Sequence, residues 1–203
     1  CFVAEVMGRK CGYLSLMSGL ATGAEKVYLN EEGITLKGLA SDSERMVESF
    51  RSGRSLYLVI RNERASVNYT TDVLAHIFAE EGKGLYDVRE AILGHQQQGG
   101  SPTAFDRIMA TKLVAYSLDL LADALKRGEP TASYVGLMGG KVSDQPLDRM
   151  NDDLDRDHRR PRHQWWLGLR PAVGMVSHNS GTLALKDVPD FGEAVDDAAG
   201  DQR

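Results

Sequence analysis

Leu56-Tyr57-Leu58-Val59-Ile60, followed at once by Arg61-Asn62-Glu63, is the stretch on which the fold turns. Five apolar residues without polar alternation describe a strand covered on both faces, the state of strands inside a parallel sheet. The polar triplet after it marks a strand end, where open α/β sheets hold their ligands. Upstream, Phe2 to Val6 reads as a strand already under way at the first residue, so the fold is expected to be incomplete at the N-terminus. A turn with two glycines, Met7-Gly8-Arg9-Lys10-Cys11-Gly12, leads into small apolar residues from Tyr13 to Ala24, a buried helix stopped near Gly23. Val27-Tyr28-Leu29 is a short strand. Leu39 to Phe50 is an amphipathic helix with Leu39, Met46, Val47 and Phe50 on one face.

Downstream, Thr71 or Asp72 can cap a helix running from Val73 to Glu81, stopped by Gly82 and Gly84. Glu90 to Leu93 is a strand candidate ending in Gly94-His95, and Gln96 to Pro102 a polar loop. The longest helix starts near Asp106: Ala110, Leu113, Val114, Leu118, Leu121 and Leu125 recur at helical spacing until Gly128 and Pro130. Tyr134 to Met138 is a last strand before Gly139-Gly140. Strands alternating with helices predict an α/β layered fold with a largely parallel sheet flanked by helices. Beyond Met150 comes a charged linker, then Gln164-Trp165-Trp166-Leu167, whose two indoles should anchor the segment. Residues 1–176 are expected to form one partial domain, and 177–203 a disordered acidic tail.

Bulk chemistry excludes several classes. A net charge of −5 gives no pull toward nucleic acid. No apolar run approaches the ~20 residues of a membrane span, so no membrane partner is expected either. Cys1 and Cys11 are too few for a disulfide framework and are not clustered as zinc ligands, which points to a reduced, cytoplasmic setting. The sequence carries no P-loop and no Rossmann glycine fingerprint. Asp152, Asp153, Asp155 and Asp157 lack the glycine and terminal Glu of an EF-hand and read as a solvated linker, so no metal site is expected.

Four groups of residues can do chemistry. In Met7-Gly8-Arg9, a glycine lets backbone N–H groups approach a ligand and Arg9 offers a fork of donors to a phosphate; the bland alternative is a tight turn with a solvated arginine. In Arg61-Asn62-Glu63, the carboxylate of Glu63 can accept sugar hydroxyls; the alternative is an ordinary polar loop. From Arg89 through His95 to Gln96-Gln97-Gln98-Gly99-Gly100, histidine and glutamines offer hydrogen bonds to an anionic or hydroxylated ligand. In Asp157 to His163 the cations, Arg159 among them, can neutralise a phosphate or remain a solvated run. Together these describe a binder of anionic sugars with no visible device for transferring a group.

The strings Glu5-Val6-Met7-Gly8-Arg9, Cys11-Gly12-Tyr13-Leu14, Arg61-Asn62-Glu63, Ile92-Leu93-Gly94-His95, Gln97-Gln98-Gly99-Gly100-Ser101-Pro102 and Phe105-Asp106-Arg107 occur in the order found in phosphofructokinases. Tyr69-Thr70-Thr71-Asp72 and Gln164-Trp165-Trp166-Leu167 resemble the C-terminal half of the eukaryotic ATP-dependent 6-phosphofructokinases. That resemblance implies a piece of a glycolytic kinase that phosphorylates fructose 6-phosphate with ATP and Mg2+. The resemblance is to the regulatory half, which implies that the old substrate site takes the effector fructose 2,6-bisphosphate. Catalytic halves carry an arginine where Gln98 stands. The family's ATP loop and catalytic Asp stretch lie upstream of the region present, so neither ATP nor Mg2+ is expected to find a complete site here, and no catalytic residue is assigned. Carried over by position, Met7, Gly8, Arg9, Glu63, Arg89, His95, Gln96, Gln97, Gln98 and Arg159 form the sugar-phosphate site. Arg89 is expected to reach the site of a neighbouring subunit, which makes the N-terminal half and other subunits the expected protein partners. The alternatives are a catalytic fructose 6-phosphate half with a divergent glutamine loop, and an assembly scaffold that binds nothing tightly.

Overall fold

The computed structural model describes residues 1–128 and 132–177. Of the acidic tail expected over 177–203, Ser177 is buried and ordered, its N–H donating to Val173 O at 3.0 Å, and 178–203 lie outside the described residues. The described residues group into two compact units, Cys1–Gly99 with residues 166–177, and Gly100–Trp165.

In the first unit, β1 (Phe2–Val6), α1 (Tyr13–Thr22), β2 (Lys26–Tyr28), α2 (Leu36–Arg51), β3 (Leu58–Asn62), α3 (Thr71–Gly82) and β4 (Arg89–Ile92) alternate along the chain. The four strands are parallel in the order β2-β3-β1-β4, as an α/β layered fold requires. Phe2 pairs with Leu58 and Arg89, and Glu5 with Arg61 and Ile92. Side chains alternate between the two faces of the sheet. Val3 and Val59 point to one face and meet Leu39 and Met46 of α2 and Leu74 and Phe78 of α3. Val6, Val27 and Ile60 point to the other, against Leu16 of α1, Trp166 and Val173, the last on α6 (Ala172–Val176). Trp166 is buried edge-to-face on Tyr13, which anchors its segment, whereas Trp165 is half exposed.

Several element ends differ from the sequence reading for local reasons. α2 begins three residues early because the Thr35 hydroxyl accepts from Gly38 N at 3.1 Å. α3 is capped by Thr70, since Thr71 is buried and turned inward to Glu5. β3 is shifted two residues downstream, so Leu56 lies before it and is exposed while Arg61 and Asn62 are inside it and buried.

Polar burial at the sheet's amino end is compensated. The Asp42 carboxylate on α2 takes Lys26 Nζ at 2.8 Å, Arg45 Nη2 at 2.6 Å and the Tyr28 hydroxyl at 2.7 Å.

In the second unit, α4 (Ala104–Arg127) starts at Thr103, whose hydroxyl accepts from Asp106 N while Asp106 accepts from Thr103 N in a capping box. Asp106 is therefore the third helical residue and not the cap. Tyr134 to Met138 lies in a strand, but that strand, β5 (Ser133–Met138), pairs antiparallel with β6 (Lys141–Pro146). The sequence reading lacks β6 because Lys141-Val142-Ser143-Asp144-Gln145-Pro146 is too polar to announce a strand. Gly139 and Gly140, at φ +54° and +76°, supply the two left-handed positions of a two-residue hairpin turn. α4 packs on this hairpin, with Tyr116 donating to Asp144 Oδ1 at 2.9 Å, while Val114, Leu118, Leu121 and Leu125 on its opposite side stay exposed. The stretch read as a charged linker is also structured. It forms α5 (Met150–Asp153) and the short antiparallel pair β7 (Leu154–Asp155) and β8 (Arg160–Pro161), held by Asp155 accepting from Asp157 N and His158 N at 3.1 Å. Among the described residues no helix is long and apolar enough to cross a membrane.

Burial, and after it Asp42, push the Tyr28 hydroxyl well above the ordinary tyrosine value of 10.0. Below that value both folded and unfolded chains keep the proton; above it the unfolded chain loses it first. Stability contributed by Tyr28 is thus lost as pH rises past about 10. Tyr28→Phe is expected to flatten the alkaline fall in urea midpoint while costing about 1–2 kcal/mol at neutral pH for the lost hydrogen bond.

Candidate functional site

β1 lies between β3 and β4, so three strand ends and the loops behind them emerge side by side. The ladder continues past the strands: Glu63 N donates to Val6 O and Leu93 N to Glu5 O, both at 3.1 Å. These bonds fix where the three loops start.

The loop after β1 is a tight turn closed by Cys11 N donating to Gly8 O at 2.8 Å. Gly8 has φ +143°, and a Cβ there would come within 2.4 Å of Cys11 O and 2.8 Å of Asn62 Nδ2. Arg9 takes φ +46°, a left-handed conformation that a non-glycine residue adopts only where its surroundings dictate it. The turn points three successive backbone N–H groups toward the neighbouring strand ends. Gly8 N at 3.2 Å and Arg9 N at 2.7 Å both donate to Glu63 Oε1, and Met7 N donates to Gln97 Oε1 at 2.6 Å. One carboxylate from just past β3 and one amide from the turn after β4 are thereby drawn onto the turn after β1.

Met7, Gly8, Glu63 and Gln97 are therefore in direct contact. His95, Gln96 and Gln98 share the short 3-10 turn Gly94–Gln98 with Gln97 and present exposed side chains, as does Arg9. Arg89 is placed elsewhere. It opens β4 beside Phe2, whereas His95 lies beyond the other end of that strand, whose three steps span roughly 10 Å at about 3.3 Å per residue. Arg159 belongs to the second unit, exposed in the β7–β8 turn with φ +54°.

Two neighbours in the Arg61-Asn62-Glu63 triplet matter more than the sequence reading allows. Asn62, fully buried, donates to Cys11 O at 3.1 Å and accepts from Arg64 N at 3.0 Å, tying the two loops together beneath Glu63. Arg61 is buried on the opposite face and pairs with Glu5 at 2.7 Å. Burial pulls the guanidinium below the usual arginine pKa and Glu5 opposes that pull. The available signal was one charge in each of two otherwise apolar strands, Glu5 and Arg61, which the register places side by side.

Clefts of about 620 and 570 Å3 flank α2, away from these strand ends. The first is lined mainly by helix side chains of α2 and α3. In the second, Lys26, Arg45 and Arg54 are already paired with Asp42 and Glu25. The strand ends, where backbone donors, a carboxylate and amides converge, are the better chemical candidate. Among the described residues no cluster of His, Cys, Asp and Glu is arranged to hold a metal ion.

The fold is that of an α/β protein with a shelf of backbone donors, a carboxylate and amides at the carboxyl edge of a parallel sheet, the edge where such folds hold ligands. The chain belongs to the phosphofructokinase family, whose sequence profile matches residues 1–121. It is 39% identical over 186 residues to the muscle-type ATP-dependent 6-phosphofructokinase of Canis lupus familiaris, covering 87% of this chain and 24% of that protein. It is 44% identical over 170 residues to the ATP-dependent 6-phosphofructokinase of Dictyostelium discoideum, covering 83% of this chain and 20% of the relative. The structure of phosphofructokinase from Saccharomyces cerevisiae superposes with a TM-score of 0.80 at 33% identity, over 86% of this chain and 24% of that one. The chain thus spans about a quarter of the length of the curated relatives it matches.

Gly8→Ala tests the geometry of the turn. The substitution meets both a disfavoured φ and backbone atoms that cannot step aside, so it is expected to lower stability by about 2 kcal/mol or more in urea unfolding.

Proposed function

We propose that this chain supplies the fructose-phosphate shelf of a 6-phosphofructokinase and that its ligand is the effector fructose 2,6-bisphosphate. The observation that carries the reading is the Glu63 carboxylate. Its two backbone donors, Gly8 N and Arg9 N, both fall on Oε1, and among the described residues none is assigned to Oε2. A carboxylate held this way can accept sugar hydroxyls on the second oxygen, with charge-assisted strength. Arg9, His95, Gln96 and Gln98 are exposed, and in this reading they supply donors for phosphate oxygens.

Gln98 favours the effector over the substrate, because the catalytic halves of the family carry an arginine there. A neutral amide binds a phosphate less strongly than a guanidinium does, which suits a site that reports a ligand and transfers nothing. Arg89, at the far end of β4, is too distant to serve the shelf of its own chain. In this reading it serves the site of a neighbouring subunit. ATP and Mg2+ act in another part of the assembled glycolytic enzyme, in the cytoplasm. Effector binding across two subunits would then bias their arrangement.

Calorimetry with the wild-type chain should show tighter binding of fructose 2,6-bisphosphate than of fructose 6-phosphate. Glu63→Ala should weaken the bisphosphate by about 10- to 100-fold, the usual cost of one hydrogen bond to a charged group. Preference for fructose 6-phosphate would instead assign a catalytic half, and no binding of either would leave the scaffold reading. In a coupled assay the purified chain is expected to show no ATP-dependent phosphorylation of fructose 6-phosphate; measurable turnover would refute the assignment of ATP to another part.

A further inference from the structure

Arg61 places a charge where the sequence pattern calls for an apolar residue. It follows Val59 and Ile60 in β3 and is only 2% exposed, on the face of the sheet that α3 covers. Its guanidinium is spread over a single loop. Nη2 donates to Ser66 O at 2.7 Å, Nε to Tyr69 O at 3.2 Å and Nη1 to Glu63 O at 3.3 Å. All three acceptors are main-chain carbonyls of residues 63–70, the segment that joins β3 to α3. The countercharge is Glu5, whose Oε2 lies 2.7 Å from Nη1. Thr71 donates its hydroxyl to that same Glu5 oxygen.

The consequence falls on Glu63. Its N–H is committed to Val6 O at 3.1 Å and its carbonyl to Arg61. With both flanking peptide groups fixed, the Cα–Cβ bond has one direction, toward the N–H groups of Gly8 and Arg9 that receive the carboxylate. We infer that Arg61, locked to Glu5, is a positioning residue that sets where the Glu63 carboxylate stands without itself touching ligand. Lysine cannot reproduce this, because an ammonium is a point charge without the planar fork that spans three separated carbonyls. The consequence for ligand affinity rests on the fructose-phosphate reading above, while the geometric half stands without it.

Removing Arg61 alone leaves Glu5 as an uncompensated, partly buried charge and endangers folding. The test therefore uses Glu5→Leu/Arg61→Met, which removes both charges together, and Arg61→Lys, which keeps one opposite the other. Backbone amide spectra of the 203-residue chain are compared with those of Glu63→Ala, which reports the Gly8 and Arg9 signals without a carboxylate. Both test variants are expected to move the Gly8 and Arg9 amide protons at least halfway to their Glu63→Ala positions, with α2 amides unmoved. Gly8 and Arg9 signals that stay at their wild-type positions would overturn the inference. So would shifts spread equally over α2, the sign of a merely structural role.

Affinity for fructose 2,6-bisphosphate supplies the second readout. Arg61→Lys should weaken it at least tenfold in the wild-type background and leave it unchanged in the Glu63→Ala background. Equal loss in both backgrounds would mean that Arg61 does not act through Glu63. If the wild-type chain binds no fructose phosphate, the ligand reading fails, and the amide shifts alone decide the positioning role.

Discussion

Every other feature of the site depends on β1 being hydrogen-bonded on both edges. A strand flanked by parallel neighbours leaves its carboxyl end beside two others, about 4.8 Å away on each side. Glu63 N on Val6 O and Leu93 N on Glu5 O carry the pairing one step past the strands. Residues 54 or more apart in sequence then meet with no freedom to drift: Gly8 and Arg9 with Glu63, and Met7 with Gln97. The turn after β1 contributes backbone donors only because Gly8 and Arg9 accept left-handed geometry. A side chain at Gly8 would push Cys11 and Asn62 away and separate the loops that the ladder aligns.

The parallel sheet was legible because covered strands have little room for polar residues. Leu58, Val59 and Ile60 announce β3 by composition alone, and Leu39 and Met46 announce the buried side of α2 by spacing. What the sequence hides is whatever depends on register. Glu5 and Arg61 look like surface charges until they are seen to be direct neighbours across β1 and β3. Thr71 reads as a helix cap until its hydroxyl is found committed to Glu5, which leaves the capping to Thr70. The β5–β6 hairpin is hidden for another reason: its second strand has only Val142 as an apolar residue, and its glycine turn is the only strong signal. Within the site, Met7, Gly8, Glu63 and Gln97 were found by residue type and loop position and do meet. Arg89 was grouped with them by segment and by resemblance, with the expectation that it reaches a neighbouring subunit, and its strand position sets it at the other end of the sheet.

Asp42 and Arg61, two buried charges of the first unit, show why burial of charge alone does not mark a site. Asp42 sits against Lys26, Arg45 and Tyr28, all side chains, at the amino end of β2, and no loop geometry depends on the group. Arg61 has one carboxylate partner and three main-chain carbonyls, so its charge is used to fix backbone. The first arrangement is satisfied when the charges are paired. The second is satisfied only when a particular loop conformation is also in place.

That difference bears on why an ion pair lies under the shelf at all. Well-packed apolar residues commonly match or exceed the stability of a buried pair, so stability is a poor reason to keep Glu5 and Arg61. An apolar pair would fill the volume between β1, β3 and α3, but it could not bond to the carbonyls of Glu63, Ser66 and Tyr69. Those carbonyls would turn to water or to one another, and residues 63–70 would have several conformations of similar energy. Glu63 would then share its time among them, and the hydrogen bonds from Gly8 and Arg9 would have to hold it unaided. A guanidinium under the loop selects one conformation, because only one places three acceptors in its plane. The charge in the core is therefore best understood as the source of a fixed carboxylate direction at the rim of the sheet, with Glu5 and Thr71 present to make that charge tolerable.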